Sequence, residues 1–454
     1  MQEKLGLKDL AWPIFVENFL AKAMGMVNIY LISLYSEEAV AAIGVSNQLV
    51  NFIQMLFFFV TLGMTVVVSQ NLGAGQRERA QSAAGVAVFL NLVIGLSAGL
   101  IVLVFHRPIL QIMGLSGTSL SYAAVYFCLI GGFAAVQGLN LSLGAIMRNY
   151  GQARTPMMVF LGMNVLNLIG NSIIVIRPFG LPDLGIGGIA ACTVFSQGAA
   201  ALTLIILAAR YHINLRIRRP MPWPMIREIL TIGIPGAGDN LAYSIAQISL
   251  VSFITPLGTT AIASYTYAQS LIAFVQLLGY SIGQGSQIIV GRKAGARQFD
   301  DAYHFAFRGF RLALMLNLSV MFVLLLLQRP ILGFFTDNPA ILSTIFWCLL
   351  IDLVLEFGRP LNLVIGTCVR ITGDVRWAIA NSAASILLLC IPLGYLLTNV
   401  FHLGVPGIFL ALCADEWLRG LLMAGRWRSR RWEKAVLIKQ KPSLPVDLPE
   451  IQEA

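Results

Sequence analysis

The chain alternates between long apolar runs and short breaks that are charged or rich in glycine and proline. A helix needs ~18–20 apolar residues to cross ~30 Å of hydrocarbon, and many of these runs are longer than that. We therefore predict an all-α membrane protein with twelve transmembrane helices, over residues 9–34, 40–69, 80–105, 119–147, 156–177, 185–210, 228–256, 260–290, 302–327, 340–369, 375–399 and 404–425.

Composition agrees with this pattern, because 57% of the 454 residues are apolar and only 11% are charged, too few for the surface of a soluble protein. The six cysteines lie within apolar runs without CxxC spacing, so we interpret them as small core residues. The four histidines are scattered near helix ends. The sequence also lacks a P-loop and a GxSxG motif. We expect neither an enzyme nor a resident metal or cofactor.

The strongest signal is an internal repeat. A shift of 222 residues aligns Pro13 with Pro235 and holds without a gap to Arg154 against Arg376, through RPIL at 107–110 and 329–332 and LNL at 139–141 and 361–363. In the final spans LGIGGI at 184–189 matches LGVPGI at 403–408, a shift of 219. Each half holds six spans, so both enter the membrane in the same sense. This predicts two bundles related by a parallel repeat, with a pseudo-two-fold along the membrane normal.

The predicted domains are an N-terminal lobe over 1–215, a cytoplasmic linker over 216–227, a C-terminal lobe over 228–425 and a tail over 426–454. Connections on the side of the termini are rich in arginine and lysine, whereas those opposite carry only Arg107, Arg177 and Arg329. The positive-inside rule then places both termini in the cytoplasm, and explains the net charge of +10 without nucleic acid. In the tail, Trp427 and Trp432 are expected at the membrane interface, and residues 441–454 are expected to be disordered.

Two acidic residues occupy matching places in the halves. Glu17 lies in PIFVENFLAK near the middle of the first span, and Asp239 takes its place in PGAGDNL, each followed by asparagine (Asn18, Asn240). Ionised groups at such depth cost about 3 kcal/mol or more, so they face a protein or water-filled interior. A structural alternative pairs Glu17 with Lys22, but five residues apart is poor geometry on a helix, and Asp239 has no such lysine. We favour cation coupling.

The tenth span contains IDLVLEFGRPLNL, in which Asp352, Glu356 and Arg359 share one helix face. An internal salt bridge and a role in cation coupling both remain open. Uncharged stripes are expected to line a substrate cavity or to join helices by hydrogen bonds. They comprise Asn47, Asn51 and Gln54 in the second span, Tyr265, Gln269 and Gln276 in the eighth, and Asn164, Asn167 and Asn171 in the fifth.

The repeat and the paired motifs VVSQNLGAG (67–75), IIVGRKAGA (288–296), IMRNYGQARTP (146–156) and CVRITGDVRW (368–377) resemble the multidrug and toxic compound extrusion (MATE) transporters, most closely a bacterial inner-membrane branch. The resemblance implies two lobes that rock between outward-open and inward-open states. It also implies an antiporter that expels mainly cationic or amphipathic organic compounds, driven by a Na⁺ or H⁺ gradient.

The chain departs from this family at its usual coupling positions. Asn28 in MVNIY replaces the first-span aspartate of many members, Asn171 replaces a fifth-span acid, and Tyr243 stands where the sodium-coupled branch has glutamate. The coupling acids left are Glu17, Asp239, Asp352 and Glu356, with Na⁺ at Glu17 or Asp239 as one option. Substrate-cavity candidates are Asn18, Lys22, Asn28, Asn47, Asn51, Gln54, Asn171, Asn240, Tyr265, Gln269, Gln276 and Arg359.

Lys22 also leaves anionic substrate groups open. The expected partners are the bilayer and small organic substrates, and the protein is expected to be a monomer of the inner membrane. The alternatives are a flippase of lipid-linked sugars, which predicts an arginine-rich cavity and extra spans, and a channel or non-transporting scaffold.

Overall fold

The computed structural model describes residues 6–34, 36–177, 184–213, 215, 222–333 and 336–438, except the side chains at 37, 237, 239 and 240. Within these ranges the chain is helical and contains no strand. The first half forms α1 (Leu7–Ser33), α2 (Glu37–Gly73), α3 (Arg77–Ile112), α4 (Gly117–Gly132), α5 (Ala134–Asn149), α6 (Arg154–Ile176) and α7 (Gly185–Arg210).

The second half begins with α8 (Trp223–Ile254), α9 (Thr259–Gly295), α10 (Phe299–Leu332) and α11 (Pro339–Leu355). A π-helical segment (Leu361–Gly366) and α12 (Thr367–Ile371) follow. The eleventh predicted span comprises α13 (Val375–Ser385), α14 (Ile391–Tyr395) and the π-helical segments Ile386–Cys390 and Leu396–Val400. The last span is α15 (Val405–Arg428). Every predicted span thus corresponds to helical structure.

Among the described residues, nine helices are long and apolar enough to cross a membrane, or ten when α4 and α5, bent by 45°, count as one span. The predicted spans outside this set are 340–369, which breaks into shorter helices, and 404–425. Helix α11 is apolar but has only 17 residues, whereas the predicted span 404–425 carries Asp415, Glu416 and Arg419.

The chain divides into two compact units, and three of the four boundaries between them fall inside helices. We name them the carboxyl unit (Met1–Phe15, Ser69–Gly75 and Pro235–Ala454) and the amino unit (Val16–Val68 and Gln76–Ile234). Helices α1, α2 and α8 each contribute residues to both units. The lobe boundaries proposed from the sequence stay a prediction.

Glycines mark where helices approach most closely inside each unit. In the amino unit, a Cβ added at Gly63 on α2 would overlap the carbonyl of Ile229 at the start of α8. In the carboxyl unit, a Cβ added at Gly285 on α9 would crowd Leu7 and Ala11 at the start of α1. The shift of 222 relates Gly63 to Gly285 and Leu7 to Ile229, so the two contacts are counterparts. Small residues permit such close backbone approach in membranes.

The C-terminal ends of α2 and α9 cross within the carboxyl unit, and each helix contributes a glycine to the contact. A Cβ at Gly73 would overlap the carbonyl oxygen of Arg292, and one at Gly295 would overlap that of Gln70. The repeat relates Gly73 to Gly295 and Gln70 to Arg292. This crossing gives a packing reason for the glycines of the motifs NLGAG and RKAGA.

The start of the tail packs onto the carboxyl unit. Trp427 and Trp432 are both 0% exposed, and their rings stack with centroids 4.2 Å apart. The main-chain N–H of Leu437 donates to Oε1 of Gln70 at 2.8 Å. The prediction that the two tryptophans lie at the membrane interface is therefore wrong, because their rings are buried against protein.

Two other sequence predictions fall partly on residues outside the described ranges. These are residues 216–221 of the linker and the tail from 439 onward. All six cysteines are free thiols, and Cys348, Cys368 and Cys390 are buried.

Candidate functional site

The three charged residues predicted on one face of the tenth span meet in the carboxyl unit. Nη2 of Arg359 lies 2.8 Å from Oδ1 of Asp352, and Nη1 lies 3.3 Å from Oδ2. Nη1 of Arg359 also donates to Oε1 of Glu356. From α10, Nδ2 of Asn317 donates to Oε2 of Glu356 at 2.8 Å. We call Asp352, Glu356 and Arg359 the first triad.

A second triad, which the sequence reasoning missed, lies on α15. Nη2 of Arg419 lies 2.9 Å from Oδ2 of Asp415 and 2.8 Å from Oε1 of Glu416. Oγ of Ser385 donates to Oδ1 of Asp415 at 2.6 Å. Nδ2 of Asn362 donates to Oε2 of Glu416 and, at 2.8 Å, to its main-chain oxygen. One guanidinium thus bridges two carboxylates in each triad.

The two triads belong to one packed region of the carboxyl unit. Asn362, which reaches the second triad, lies three residues after Arg359 of the first. The indole N–H of Trp417 on α15 donates to the carbonyl of Val354 on α11 at 3.0 Å. Gly358 packs against Trp417, where a Cβ would lie 3.2 Å from its Cα. Short links between α11, the π-helical segment and α15 therefore hold the triads together.

Burial makes the charges of this region costly. The side chains of Asp352 and Glu356 are 0% exposed, and that of Asp415 is 2% exposed. Glu416 is 15% exposed, so it is the most accessible of the four acids. Four carboxylates against two guanidiniums leave an excess of two negative charges. Buried charges are tolerated only when paired and hydrogen-bonded, and here every one of the eight carboxylate oxygens has a hydrogen-bond or ion-pair partner.

The helix breaks at the first triad. α11 ends at Leu355, a turn covers residues 356–358, and the backbone then enters the π-helical segment that contains Asn362. Irregular helices are frequent at functional sites, and transporters use broken helices to bind ions near the membrane midplane. The break turns Glu356 and Arg359 toward the buried region instead of leaving them on a continuous helix surface.

The amino unit has the same framework without the charges. Its α4–α5 break at Phe133 corresponds, under the shift of 222, to the break at Leu355. Nδ2 of Asn140, the counterpart of Asn362, donates to the carbonyl of Gln197 at 2.9 Å. Gln197 is in turn the counterpart of Glu416 under the shift of 219. The positions that match the six triad residues are Ile130, Ala134, Gln137, Ser196, Gln197 and Ala200.

Glu17 forms an ion pair in the amino unit, but its partner differs from the sequence alternative. Nη1 of Arg148, in the last turn of α5, lies 2.8 and 2.9 Å from the two carboxylate oxygens. The side chains of Arg148 and Glu17 are 12% and 18% exposed. Lys22 and Asn18 lie on the same helix and are half-buried. Asp239 and Asn240 lie on α8, and their side chains are outside the described part of the structure.

The fifth-span stripe joins Asn28 in an amide cluster. Nδ2 of Asn171 donates to Oδ1 of Asn28 and to Oδ1 of Asn167, both at 3.1 Å. Nδ2 of Asn167 donates to Oγ1 of Thr193 at 2.9 Å. Because amides carry no charge, this cluster provides polar contacts without a titratable group.

Some polar side chains in the stripes of the second and eighth spans form hydrogen bonds with neighbouring side chains. In the amino unit, Asn47 accepts from the hydroxyl of Tyr126 at 3.3 Å, and Gln54 donates to Gln137 at 3.1 Å. Asn51 is exposed.

In the carboxyl unit, Nε2 of Gln269 donates to Oη of Tyr265 at 2.9 Å. Tyr265 in turn donates to Oε1 of Gln247 at 2.7 Å, and Nε2 of Gln247 donates to Oη of Tyr243 at 2.9 Å. This chain of hydrogen bonds connects α9 to α8. Gln276 is half-buried. A role of either stripe in a substrate cavity stays a prediction.

A signal for the second triad was present in the sequence. Asp415, Glu416 and Arg419 stand at i, i+1 and i+4 inside an apolar span, and the cost of charge in a membrane applies to them as it does to Asp352. Arg148 directly follows the predicted fourth span, 119–147, so it counts among the arginines of the connections on the side of the termini. Asn317 is a single amide in an apolar run, and no spacing singles it out.

Comparisons with known proteins agree with this architecture. The family model MatE matches residues 13–173 and 235–396, one match in each half. The uncharacterized transporter YisQ of Bacillus subtilis is 34% identical over 94% of this chain and 94% of its own length. The probable multidrug resistance protein NorM of Thermotoga maritima is 26% identical over 96% of this chain and 94% of its own.

The fold is that of solved transporters. The structure of an outward-facing multidrug resistance MATE family transporter superposes with a TM-score of 0.84 at 19% identity, covering 95% of this chain and 96% of that one. This likeness confirms the predicted fold of twelve transmembrane helices in two bundles. The protein is a multi-pass membrane protein, and it belongs to the MatE family of multidrug and toxic compound extrusion transporters.

Proposed function

We propose that the protein is a secondary active antiporter that exports organic compounds, mainly cationic or amphipathic, in exchange for H⁺ or Na⁺. It is not an enzyme and uses no resident cofactor. It works as a monomer in the inner membrane, with both termini in the cytoplasm. The names of its multidrug-resistance relatives support the export of drugs.

The observation that carries the proposal is the charge difference between the halves. The amino unit builds the same framework with six uncharged residues, so folding of this framework does not require the charges. Buried ionic groups contribute little net stability and are often replaceable by apolar ones. Their presence in the carboxyl unit is therefore best explained by a task in transport.

That task is exchange of cations. Two uncompensated negative charges in a sealed region favour uptake of protons or small cations, because burial disfavours the charged form of a carboxylate. A cationic substrate and the driving ion then compete for the same excess negative charge, which produces obligatory exchange. The coupling groups are Asp352 and Glu356, together with Asp415 and Glu416.

Glu17 and Asp239 remain proposed coupling acids of the first and seventh spans. The amide cluster of Asn28 and Asn171 and the stripes of α2 and α9 are proposed to contact substrate. Lys22 and Arg148 add positive charge to the amino unit, but Glu17 balances Arg148, which argues against the arginine-rich cavity of a lipid-linked sugar flippase.

Purified protein in liposomes tests the proposal. Efflux of the cationic dye ethidium is followed under an imposed H⁺ gradient, an imposed Na⁺ gradient, or neither. We expect saturable efflux that depends on one gradient and is lost in Asp352→Asn and in at least one of Glu17→Gln and Asp239→Asn. Thr398→Val, a buried change outside the triads, serves as the control. Efflux that ignores both gradients, or that does not saturate, would contradict an antiporter and indicate a channel.

A further inference from the structure

The side chain of Asn317 is buried, and only one of its two polar atoms has a hydrogen-bond partner among the described residues. Its side chain is 0% exposed. Nδ2 donates to Oε2 of Glu356 at 2.8 Å, whereas Oδ1 has no hydrogen-bond partner in the part of the chain that the structure describes. A buried acceptor without a donor costs free energy, and such an atom in a folded protein calls for an explanation.

Glu356 shows the hydrogen-bond pattern of an ionised carboxylate. Both of its oxygens accept, one from Arg359 and one from Asn317. A protonated carboxylic acid must donate from one oxygen and needs an acceptor beside it. A guanidinium offers only donors, whereas an amide that turns over replaces its donor with an acceptor. Asn317 is therefore the partner that can serve both states of Glu356.

A glycine on α9 lies beside the amide of Asn317. On α9, Gly279 packs directly against it, and a Cβ at this position would lie 2.8 Å from Nδ2 and 3.4 Å from Oδ1 of Asn317. Glycine at 279 thus keeps clear the space through which both atoms of the amide pass.

We propose that the driving ion is a proton, that it binds at Oε2 of Glu356, and that Asn317 turns its amide over to receive it. This deepens the proposed function and rests on it. The proton comes from a hydronium ion, whose O–H bond breaks as the O–H bond on Glu356 forms, so that neutral water is left behind. The new O–H group then donates to Oδ1 of Asn317, and the first triad passes from a charge of −1 to neutrality.

The surroundings of Glu356 favour a proton over a metal cation. Both carboxylate oxygens already hold donors, and the described residues contain no group of three or more acids, histidines or cysteines arranged to hold a metal ion. The charged groups around Glu356 are Asp352 and Arg359 on its own segment and, on α15, Asp415, Glu416 and Arg419. The charged residues of α10 nearest to Asn317 in the sequence are Arg311 and Arg308, six and nine residues before it, and α9 has none before Arg292.

Infrared difference spectroscopy of the reconstituted protein, recorded as the pH is lowered, tests this proposal without any substrate. A buried acid that takes up a proton produces a carboxylic C=O band. We expect this band in the wild type, in sodium and in potassium buffer alike, and we expect its loss in Glu356→Gln. In Asp352→Asn, which removes the neighbouring negative charge, we expect the band only at lower pH. In Asn317→Leu the band is retained but moves to higher wavenumber, because the acid loses its acceptor.

Gly279→Ala provides a variant that keeps both residues. Because the added methyl group obstructs the path of the amide and crowds both of its end states alike, we expect the band at the same pH as in the wild type but slower to develop after a pH jump. Gly198→Ala, where an added Cβ meets no atom within 4 Å, leaves the band unchanged. Thermal unfolding of each variant checks that it is folded.

The proposal is overturned if the wild type gives no such band, if the band survives in Glu356→Gln, or if it does not move in Asn317→Leu. A band that requires sodium also overturns it. Ethidium efflux from the same liposomes separates this result from the proposed function. Gradient-driven efflux without the band defeats only the proton site, whereas the band without gradient-driven efflux defeats the antiporter and leaves the proton site standing.

Discussion

Arg148 and Glu17 form an ion pair in which one guanidinium nitrogen, Nη1, lies 2.8 Å from one carboxylate oxygen and 2.9 Å from the other. They are 131 residues apart in the chain, and they join α5 to α1 inside the amino unit. An acid in the first span is therefore balanced by a base in the fourth. The pair gives Glu17 a structural role beside the coupling role that we propose.

Removing the arginine is expected to cost more than removing the acid. Arg148→Met leaves a mostly buried carboxylate without its cation, and we expect a loss of about 2 kcal/mol, below the 3–5 kcal/mol of fully buried pairs because this pair is partly exposed. Glu17→Gln retains an acceptor and costs less. Thermal unfolding in detergent measures both. The double variant is expected to recover part of the loss, and strictly additive effects would argue against the pair.

The repeat supplies its own test of the buried charges. We expect a variant that carries the amino-unit residues at all six triad positions to insert and fold, but to lose gradient-driven efflux. The substitutions are Asp352→Ile, Glu356→Ala, Arg359→Gln, Asp415→Ser, Glu416→Gln and Arg419→Ala.

A single change is the matched control for this variant. Arg359→Gln alone leaves two adjacent buried carboxylates without a cation, and we expect it to cost about 3–5 kcal/mol. Fluorescence-detected size exclusion and thermal unfolding compare the two proteins. A six-fold variant that is less stable than Arg359→Gln would mean that the charges are part of the folding framework.

The tail provides a test of packing. Trp432→Ala opens a cavity under a fully buried ring, and we expect a loss of about 3–5 kcal/mol. Trp223→Ala, at a position 72% exposed, is expected to change stability by less than about 0.5 kcal/mol. Thermal unfolding in detergent and in lipid distinguishes the cases, because an interfacial tryptophan would show its effect only in lipid.

The helix crossing at Gly73 is expected to tolerate no side chain. Gly73→Ala forces a methyl group onto the carbonyl oxygen of Arg292, so α2 and α9 must separate, at a cost of about 1–3 kcal/mol. Gly162→Ala, where an added Cβ has open space, serves as the control. Equal melting temperatures for the two variants would contradict the close approach.

The sequence predicted the fold well because membrane spans and a gapless repeat are carried by composition and order alone. The helix period also brought Asp352, Glu356 and Arg359 together in the sequence reasoning, and they do meet, although the helix ends at Leu355 and does not carry all three on one face. The sequence could not supply partners from distant elements. The contacts of Asn317 with Glu356 and of Arg148 with Glu17 depend on which helices pack together, and no local pattern encodes that.

In the tail, composition led to a wrong prediction. Tryptophans among arginines after a span are typical of a membrane interface, but the rings of Trp427 and Trp432 stack on each other and are buried. Composition reports which residues suit an interface, whereas the structure decides whether protein covers them.

The confinement of the six buried charges to one half of a duplicated framework has an electrical consequence. A voltage does work only on charge that moves through its field, about 2.3 kcal/mol per elementary charge for a full crossing at 100 mV. The matching positions of the other half carry no charge, so the voltage does no work on them. The protein is thus a duplicated scaffold in which the voltage acts on these positions in one copy only.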